Sequence, residues 1–194
     1  YNIHVANGTY TDLQAKYAGD KTPGTDLQGI ICKDYVNYIG NIQHPESVVI
    51  EWDGSTGYTA EEFCYQVDSQ GQTKNYAYNK CPFNIVGGHT SVRGFTLDCV
   101  NVRYAMHVET QGAGRNAVWE VSDCRFIWGG TPDCPDRALN PPPCIGTGSG
   151  FFEVGRILRC QVLNGEGIPY GFRNHDAPWP YSGEDSIVKE GSNI

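Results

Sequence analysis

A short pattern occurs twice in the chain: an apolar residue, two turn-tolerant residues, a cysteine, any residue and a second apolar residue. Val121-Ser-Asp-Cys124-Arg-Phe126 matches Ile157-Leu-Arg-Cys160-Gln-Val162, and Leu97-Asp-Cys99 is a looser match with one residue fewer before its cysteine. The cysteines are separated by 25 and then 36 residues, which are the differences 124 − 99 and 160 − 124. Strand-like repeats with a period in the twenties are typical of a β-solenoid, whose stacked coils bury their inner side chains together.

The rest of the sequence supports an all-β chain. Among its 194 residues are 24 Gly and 11 Pro, and no segment places apolar residues at the 3.6-residue spacing of an amphipathic helix. Alternating apolar residues predict short strands, among them 47–52, 83–86, 91–97, 104–109, 117–121 and 152–158. We therefore predict one domain over 1–194. Irregular excursions are predicted near 55–80, which is polar and aromatic, and near 129–150, which is rich in proline.

The charge excludes several classes of function. Lys plus Arg is 14 and Asp plus Glu is 22, so the net charge is −8. Nucleic-acid binding is not expected, because it requires a basic face. No run of apolar residues approaches the ~18 that suggest a membrane span, so membrane insertion is not expected. The chain has no pair of cysteines with the spacing of a structural zinc site, and we predict neither a metal nor a cofactor.

Eight cysteines are present. We predict that Cys99, Cys124 and Cys160 are buried free thiols at equivalent positions of successive coils, where cysteine behaves as a small hydrophobic residue. Free thiols fit assembly in a reducing cytoplasm. Cys134 and Cys144 flank the proline-rich stretch, and a disulfide between them under oxidising conditions is left open.

The chain resembles the pectin-lyase-like family of right-handed parallel β-helices. The resemblance is carried mainly by Ile3-His-Val-Ala-Asn-Gly-Thr-Tyr10, Val92-Arg-Gly-Phe-Thr-Leu97 and Tyr104-Ala-Met-His-Val108. It implies a right-handed parallel β-helix, and the strand-like end of the chain suggests a fragment of a longer helix. The family includes polysaccharide lyases, glycoside hydrolases, pectin esterases and virus tail spikes, but none of their catalytic signatures is recognisable in this sequence. The resemblance therefore implies architecture, and the function has to be argued from individual residues.

Three residues are candidates for catalysis. Glu109 and Glu120 fall on successive predicted strands, and outward carboxylates on neighbouring coils can reach the ~5 to 9 Å separation used in glycoside cleavage. His107 alternates with Met106 and Val108, so it is expected to point outward beside Glu109 and to act as an acid or base. The alternative is that all three are ordinary surface residues of an acidic protein.

A second set of residues is predicted to bind substrate. Glu120 and Arg156 occupy the same place in the aligned repeats, so we expect them to point outward one above the other, with Thr96 as a third rung. Arginine binds carboxylates with two parallel hydrogen bonds, and an outward aromatic ring of Trp119, Trp128 or Tyr104 would stack on sugar rings. Alternatively, the arginines pair with carboxylates of adjacent coils. The predicted substrate-binding residues are Arg156, Trp119, Arg125 and Trp128.

Three functions remain in competition. The first is a domain of a phage tail spike or fibre that binds a bacterial surface polysaccharide and, in one version, also cleaves it. Such a domain would be assembled in the cytoplasm as part of a virion and could be a homotrimer. The second is a secreted microbial polysaccharide lyase or glycoside hydrolase. The third is a structural β-helix used as a spacer. If the protein is an enzyme, we expect one of the two polysaccharide-cleaving classes.

Overall fold

The computed structural model describes residues 1–11, 27–56, 59, 66–67, 73–74, 80–102, 104–108, 118–128, 145–147, 154–163, 170–174 and 186–189. Within these residues the chain is all-β, and its only helix is one turn of 3-10 helix at Pro45–Ser47. No helix in the described ranges is long and apolar enough to cross a membrane.

The strands form three large sheets and one small antiparallel pair. In spatial order, the first sheet consists of β1 (Asn2–His4), β4 (Asn37–Ile39), β9 (Thr90–Arg93), β12 (Val118–Ser122) and β15 (Val154–Leu158). The second consists of β16 (Gln161–Val162), β13 (Arg125–Trp128), β10 (Thr96–Val100), β5 (Val48–Asp53) and β2 (Gly8–Tyr10). The third consists of β18 (Ser186–Lys189), β17 (Tyr170–Asn174), β14 (Ile145–Thr147), β11 (Met106–Val108), β8 (Lys80–Ile85) and β3 (Leu27–Cys32). The small pair is β6 (Gln66–Val67) with β7 (Thr73–Lys74).

The chain visits the three sheets in a fixed order. A strand of the third sheet is followed by one of the first and then one of the second, as in β3, β4, β5 and again in β8, β9, β10. We call one such passage a circuit. Strands from successive circuits pair in parallel, and the antiparallel pair β17 and β18 is the exception among the described strands of the three sheets. This arrangement confirms the all-β, parallel architecture and is compatible with a β-solenoid.

All three sheets contribute alternate residues to one buried apolar cluster. The side chains that share it are in register from circuit to circuit, so each lies beside its equivalent on the neighbouring strand. Removing a large apolar side chain from water stabilises the fold by roughly 1.5–3 kcal/mol. Representative rungs are Tyr38, Val92 and Val121 in the first sheet, Ile50, Leu97 and Phe126 in the second, and Phe83, Met106 and Ile145 in the third.

The corner between the first and second sheets is built the same way in three circuits. Gly94, Asp123 and Arg159 all have left-handed backbone conformations, with φ of 73°, 56° and 51°. The backbone N–H of Gly94 donates to Ser122, and that of Asp123 donates to Leu158, so these corners stack on one another. The predicted strand 91–97 is therefore wrong, because Gly94 turns the chain and separates β9 from β10.

The cysteine prediction is confirmed in part. Cys99, Cys124 and Cys160 are all free and buried. Cys124 and Cys160 each directly follow the left-handed residue of their corner. In the preceding circuit, the residue that follows the left-handed Gly94 is Phe95. Cys99 lies further along, within β10 and in register with Trp128. The three are therefore not at equivalent positions. Of the inward residues of the repeats, Ile157 is only partly buried, and the others are buried: Phe95, Leu97, Val121, Phe126 and Val162.

The two predicted excursions fall mostly on residues outside the described ranges. Within 55–80, β6 and β7 pair with each other and not with the three sheets. Within 129–150, β14 is a strand of the third sheet between β11 and β17. The predicted end of the second excursion is therefore too late, since Ile145–Thr147 already belongs to a sheet.

Candidate functional site

A row of polar residues follows the outer face of the first sheet. Strand registers pair Asn2 with Asn37, Asn37 with Ser91, Ser91 with Glu120 and Glu120 with Arg156. We call these five residues the outer ladder. Asn37 Nδ2 donates to Asn2 Oδ1 at 2.9 Å, and Ser91 Oγ donates to Asn37 Oδ1 at 2.8 Å. The structure thus brings Glu120 and Arg156 side by side, as their alignment in the repeats predicts.

Glu120 is held by neighbours on its own face of the sheet. Ser122 Oγ donates to Glu120 Oε1 at 2.8 Å, and Arg93 Nε lies 3.9 Å from the same oxygen. The Glu120 side chain is 28% exposed, whereas Arg156 is exposed. Within the described residues, the cation within ion-pair distance of Glu120 is Arg93. Glu120 is therefore a fixed hydrogen-bond acceptor within the outer ladder, between Ser91 and Arg156.

Thr96 does not belong to this ladder. It lies in the second sheet, in register with Arg125 of the next circuit. Its side chain is buried, and Oγ1 donates to the carbonyl oxygen of Pro45 at 2.9 Å. The 3-10 turn at Pro45–Ser47 therefore covers Thr96 from outside, and the third rung of the ladder is Ser91 instead.

A cleft of about 430 Å³ opens where the first sheet turns into the second. One side is the corner that contains Asp123 and Arg159, and the other is the segment around the 3-10 turn. The volume lies within the ~300–1,000 Å³ typical of ligand pockets. We call it the corner cleft, and its lining residues are Ile42, Gln43, Pro45, Glu46, Asp123, Cys124, Arg125, Arg159 and Gln161.

The two arginines of the corner cleft are in different states. Arg159 Nε and Nη2 donate to Asp123 Oδ1 and Oδ2 at 2.6 and 2.8 Å, a bidentate pair that raises the pKa of Arg159. Arg125 Nη1 lies 3.8 Å from Glu46 Oε2, which is too far for a hydrogen bond. Asp123 therefore fixes Arg159, while the donors of Arg125 are available to a ligand.

Glu46 is a carboxylate that stays ionised. Its own backbone N–H donates to the carboxylate and lowers the pKa of Glu46, and His44 and Arg125 act in the same direction. His44 Nδ1 lies 3.3 Å from Glu46 Oε1. The Glu46 side chain is 53% exposed. A group with a lowered pKa is a poor general acid, so Glu46 is suited to accepting hydrogen bonds and to pairing with Arg125.

Of the remaining predicted site residues, neither Trp119 nor His107 lines the corner cleft. Trp119 is expected to face outward, but it is 5% exposed and belongs to the buried cluster. It lies two residues before Val121 in β12, so both side chains point to the inner face of the sheet. Its indole lies against Gly155 of the neighbouring strand, where an added Cβ would overlap the ring. Trp128 ends β13, and Glu109 lies outside the described residues.

His107 is on the face of β11 opposite Met106 and Val108, but it is not exposed. It is 8% accessible, and its ring stacks on Tyr104 with centroids 5.2 Å apart and planes 13° from parallel. Tyr104, another residue expected to face outward, is itself buried and lies over Gly146. The expectation that His107 points into solvent is therefore wrong, because strand alternation predicts the face of a residue but not what packs over it. Its predicted place beside Glu109 lies outside the described residues.

Asn84 is the residue in register with His107 on the preceding strand. It is 1% exposed, and within the described part of the chain neither its Oδ1 nor its Nδ2 has a hydrogen-bond partner. A buried amide without partners loses its bonds to water and gains none in return. This cost gives Asn84 a testable effect on stability.

We expect Asn84→Leu to raise the free energy of unfolding by about 1 kcal/mol, because an apolar side chain of similar shape removes the unpaired amide. Urea denaturation measures the change. Asn37→Leu is the matched control, since Asn37 is hydrogen-bonded to Asn2 and Ser91, and it should lower stability by about 1 kcal/mol. A loss of stability in Asn84→Leu as large as that in the control would show that the amide has a partner, such as a bound water.

Comparison with known protein families, with curated proteins and with solved structures found no match for this chain. Within the described residues, no three side chains of His, Cys, Asp or Glu are grouped so that they could hold a metal ion. The candidate site therefore has to be interpreted from its own geometry.

Of the predicted binding residues, Arg125 lines the corner cleft and Arg156 lies on the adjacent ladder. Three cleft residues were not among the predicted site residues: Glu46, Asp123 and Arg159. The repeat contained a signal for two of them, because Asp123 and Arg159 each directly precede the aligned cysteine and so stack as neighbours. Nothing in the sequence pattern placed Glu46 next to Arg125, since that contact depends on how the 3-10 turn packs on the second sheet.

Proposed function

We propose that the chain is a right-handed parallel β-helix of the pectin-lyase-like type that binds an acidic polysaccharide at the corner cleft. The single observation that carries the binding proposal is Arg125, a guanidinium that lines a cleft of ligand size. Among the described residues, the carboxylate within ion-pair distance of Arg125 is that of Glu46, at 3.8 Å. The helical part is supported by the fixed order in which the chain visits three parallel sheets. Parallel strands joined through crossovers almost always connect with a right-handed sense.

Arg125 suits the carboxylate of a uronic or sialic acid residue. A guanidinium presents parallel donors that match both oxygens of a carboxylate. Its partner Glu46 belongs to an exposed turn and makes no hydrogen bond to it, so a ligand carboxylate can replace Glu46 at small cost. Gln161, in register with Arg125 on the next strand, also lines the cleft and offers an amide for sugar hydroxyls.

The outer ladder extends the proposed binding surface around the corner. Glu120 lies on β12, three residues before Asp123 of the corner cleft, so the outer ladder leads directly to the corner that forms one side of the cleft. A sugar chain bound at Arg125 would continue over Glu120 and the exposed Arg156. Such a polymer is larger than the cleft, and the two surfaces together offer both donors and acceptors for its hydroxyl groups.

We assign the corner cleft to binding rather than to cleavage. Glycoside hydrolysis needs a protonated carboxylic acid near neutral pH, and the lowered pKa of Glu46 opposes that role. Asp123 is engaged by both of its oxygens with Arg159. Of the proposed catalytic pair, Glu120 is a fixed acceptor beside the cleft, so a role in cleavage would depend on Glu109.

The biological setting that we propose is a phage tail spike or fibre, with a secreted polysaccharide-directed enzyme as the other setting. The part of the chain that the structure describes contains five buried free thiols, and these support assembly in a reducing compartment: Cys32, Cys81, Cys99, Cys124 and Cys160. In a homotrimeric spike, three equivalent clefts would bind one surface-attached polymer with an avidity above that of a single site.

Arg125→Ala tests the proposal directly. We expect it to weaken the binding of a uronate-containing polysaccharide about 10–100-fold, because a charge-assisted hydrogen-bond pair is worth roughly 1.5–3 kcal/mol. Binding is measured by titration calorimetry near physiological salt, where the net charge of −8 is screened beyond about 8 Å. Arg156→Ala should weaken binding only about twofold to threefold, because an exposed charge contributes less than about 1 kcal/mol.

Glu46→Gln should change affinity in the opposite direction. It removes the carboxylate that competes for Arg125, so we expect acidic polysaccharide to bind about twofold to fivefold more tightly. Glu51→Gln is the matched control, since Glu51 is an exposed carboxylate in the same sheet as Arg125 and does not line the cleft. A neutral polysaccharide should respond to neither change. Equal binding of acidic polysaccharide by wild type and Arg125→Ala would overturn the proposal.

A further inference from the structure

Two thiols lie next to each other on one side of the corner cleft. Cys124 and Cys160 each directly precede residues that pair in register, Arg125 and Gln161. The backbone N–H of Gln161 donates to the carbonyl oxygen of Cys124 at 2.9 Å, which ties the two corners together at this point. Neighbouring parallel strands are ~4.8 Å apart, within the Cα separation of ~4.4 to 6.8 Å that a disulfide tolerates.

The two thiols are held in the same way. The Cys124 thiol donates to the carbonyl oxygen of Ser122 at 3.3 Å, and the Cys160 thiol donates to that of Leu158 at 3.5 Å. The neighbouring Cys124 side chain lowers the pKa of Cys160. Both residues are buried, yet Cys124 lines the corner cleft.

We propose that Cys124 and Cys160 form a redox modification site, which a peroxide converts to a disulfide that joins two successive circuits at the corner cleft. In the first step a thiolate attacks hydrogen peroxide, becomes a sulfenic acid and releases hydroxide, which takes up the proton lost by that thiol to form water. In the second step the other thiol attacks the sulfenic sulfur and a second water leaves. Two electrons and two protons pass from the thiols to one peroxide molecule.

The other described cysteines provide contrasts within the same chain. Cys99 is buried in β10, and its neighbours in register are Trp52 and Trp128 rather than cysteine. Cys32 is also buried, and burial raises its pKa, as it does that of Cys124. The pKa of Cys160 is lowered instead, because Cys124 lies beside it. Oxidation by a small peroxide should therefore select the Cys124 and Cys160 pair over these two residues.

The test is treatment of the folded protein with hydrogen peroxide, followed by peptide mapping and thermal melting. We expect the loss of two hydrogen atoms per bridge, one cross-linked peptide containing Cys124 and Cys160, and a melting temperature higher by about 5–10 °C. Cys99→Ser should leave this cross-link in place, whereas Cys160→Ser should abolish it. Because mapping is done on the wild type, the result does not depend on whether Cys160→Ser folds.

Two outcomes would overturn the inference. One is recovery of Cys124 and Cys160 as free thiols or as unpaired sulfinic acids after peroxide treatment of the native protein. The other is a cross-link accompanied by a lower melting temperature, which would mean that the bridge distorts the corner. Neither outcome depends on polysaccharide binding, so the inference stands or falls separately from the proposed function.

Discussion

Trp119→Ala is expected to lower the free energy of unfolding by about 3–5 kcal/mol, as is usual when a large aromatic side chain is removed from a core. Trp119 is 5% exposed and packs within the cluster shared by the three sheets. Its ring lies against Gly155, so the cavity left by alanine would be bordered by a residue with no side chain to fill it. Urea denaturation followed by circular dichroism measures the loss.

The same variant distinguishes a core residue from a sugar-binding residue. Trp119→Phe keeps an aromatic ring and should recover most of the lost stability. Each variant should bind polysaccharide as the wild type does, once binding is expressed per folded molecule. If Trp119→Ala were as stable as the wild type but bound no polysaccharide, Trp119 would be a ligand contact and its place in the core would be wrong.

Gly54→Ala is expected to lower the free energy of unfolding by about 3 kcal/mol, the upper end of the usual cost of overpacking. Gly54 lies in the turn after β5, and a Cβ there would overlap the backbone carbonyl oxygen of Asn101 in the next circuit. Backbone cannot move aside as a flexible side chain can, so the two circuits would have to separate. Thermal and urea denaturation both report this loss.

The surroundings of Gly54 explain why such a separation is costly. Asn101 Nδ2 donates to Asp53 Oδ1 at 3.1 Å, and Gly54 N–H donates to the carbonyl oxygen of Val100 at 3.0 Å. Glu51→Ala is the control, because Glu51 is exposed on β5 and its loss should change stability by no more than about 0.5 kcal/mol. A Gly54→Ala protein as stable as that control would show that Gly54 and the backbone of Asn101 are not in close contact.

Much of the first sheet could be predicted from the sequence. Strand alternation fixes which face a residue occupies, so the outward position of Glu120 and the inward position of Val121 both follow from it. Because Glu120 and Arg156 occupy matching places in the repeat, their lateral pairing also followed. These predictions depend only on the local period of the strand and on equal spacing from the corner.

The alignment of the repeats was correct for Cys124 and Cys160 but wrong for Cys99, which was matched to them because it is a cysteine and not because it follows an equivalent corner. The structural equivalent of Asp123 and Arg159 in the preceding circuit is Gly94, which shares their left-handed conformation. Aligning Gly94 with them would have placed Ser91 beside Glu120 and moved Thr96 to the second sheet. A glycine directly before a bulky apolar residue was the signal, since glycine adopts positive φ most readily.

What covers an outer face could not be predicted from the pattern. His107 and Thr96 both lie on outward positions, yet each is buried by another part of the chain. The contact between Arg125 and Glu46 likewise joins segments that are distant in sequence and share no repeat. Such contacts depend on the path of the connecting segments, which carry no periodic signal.

The registers of the three sheets have a consequence for how the protein folds. Apart from β17 with β18, each described strand of these sheets pairs with strands from other circuits, as Asn37 does with Asn2 and Ser91. These strands include no tight hairpin that could serve as a local nucleus. The first pairing of two parallel strands must therefore close a loop as long as a whole circuit. The entropic cost of closing that loop comes before the strand pairing that compensates it. Once two circuits have formed, each later strand joins an existing template. Folding is then a slow initiation followed by stepwise elongation along the axis of stacking.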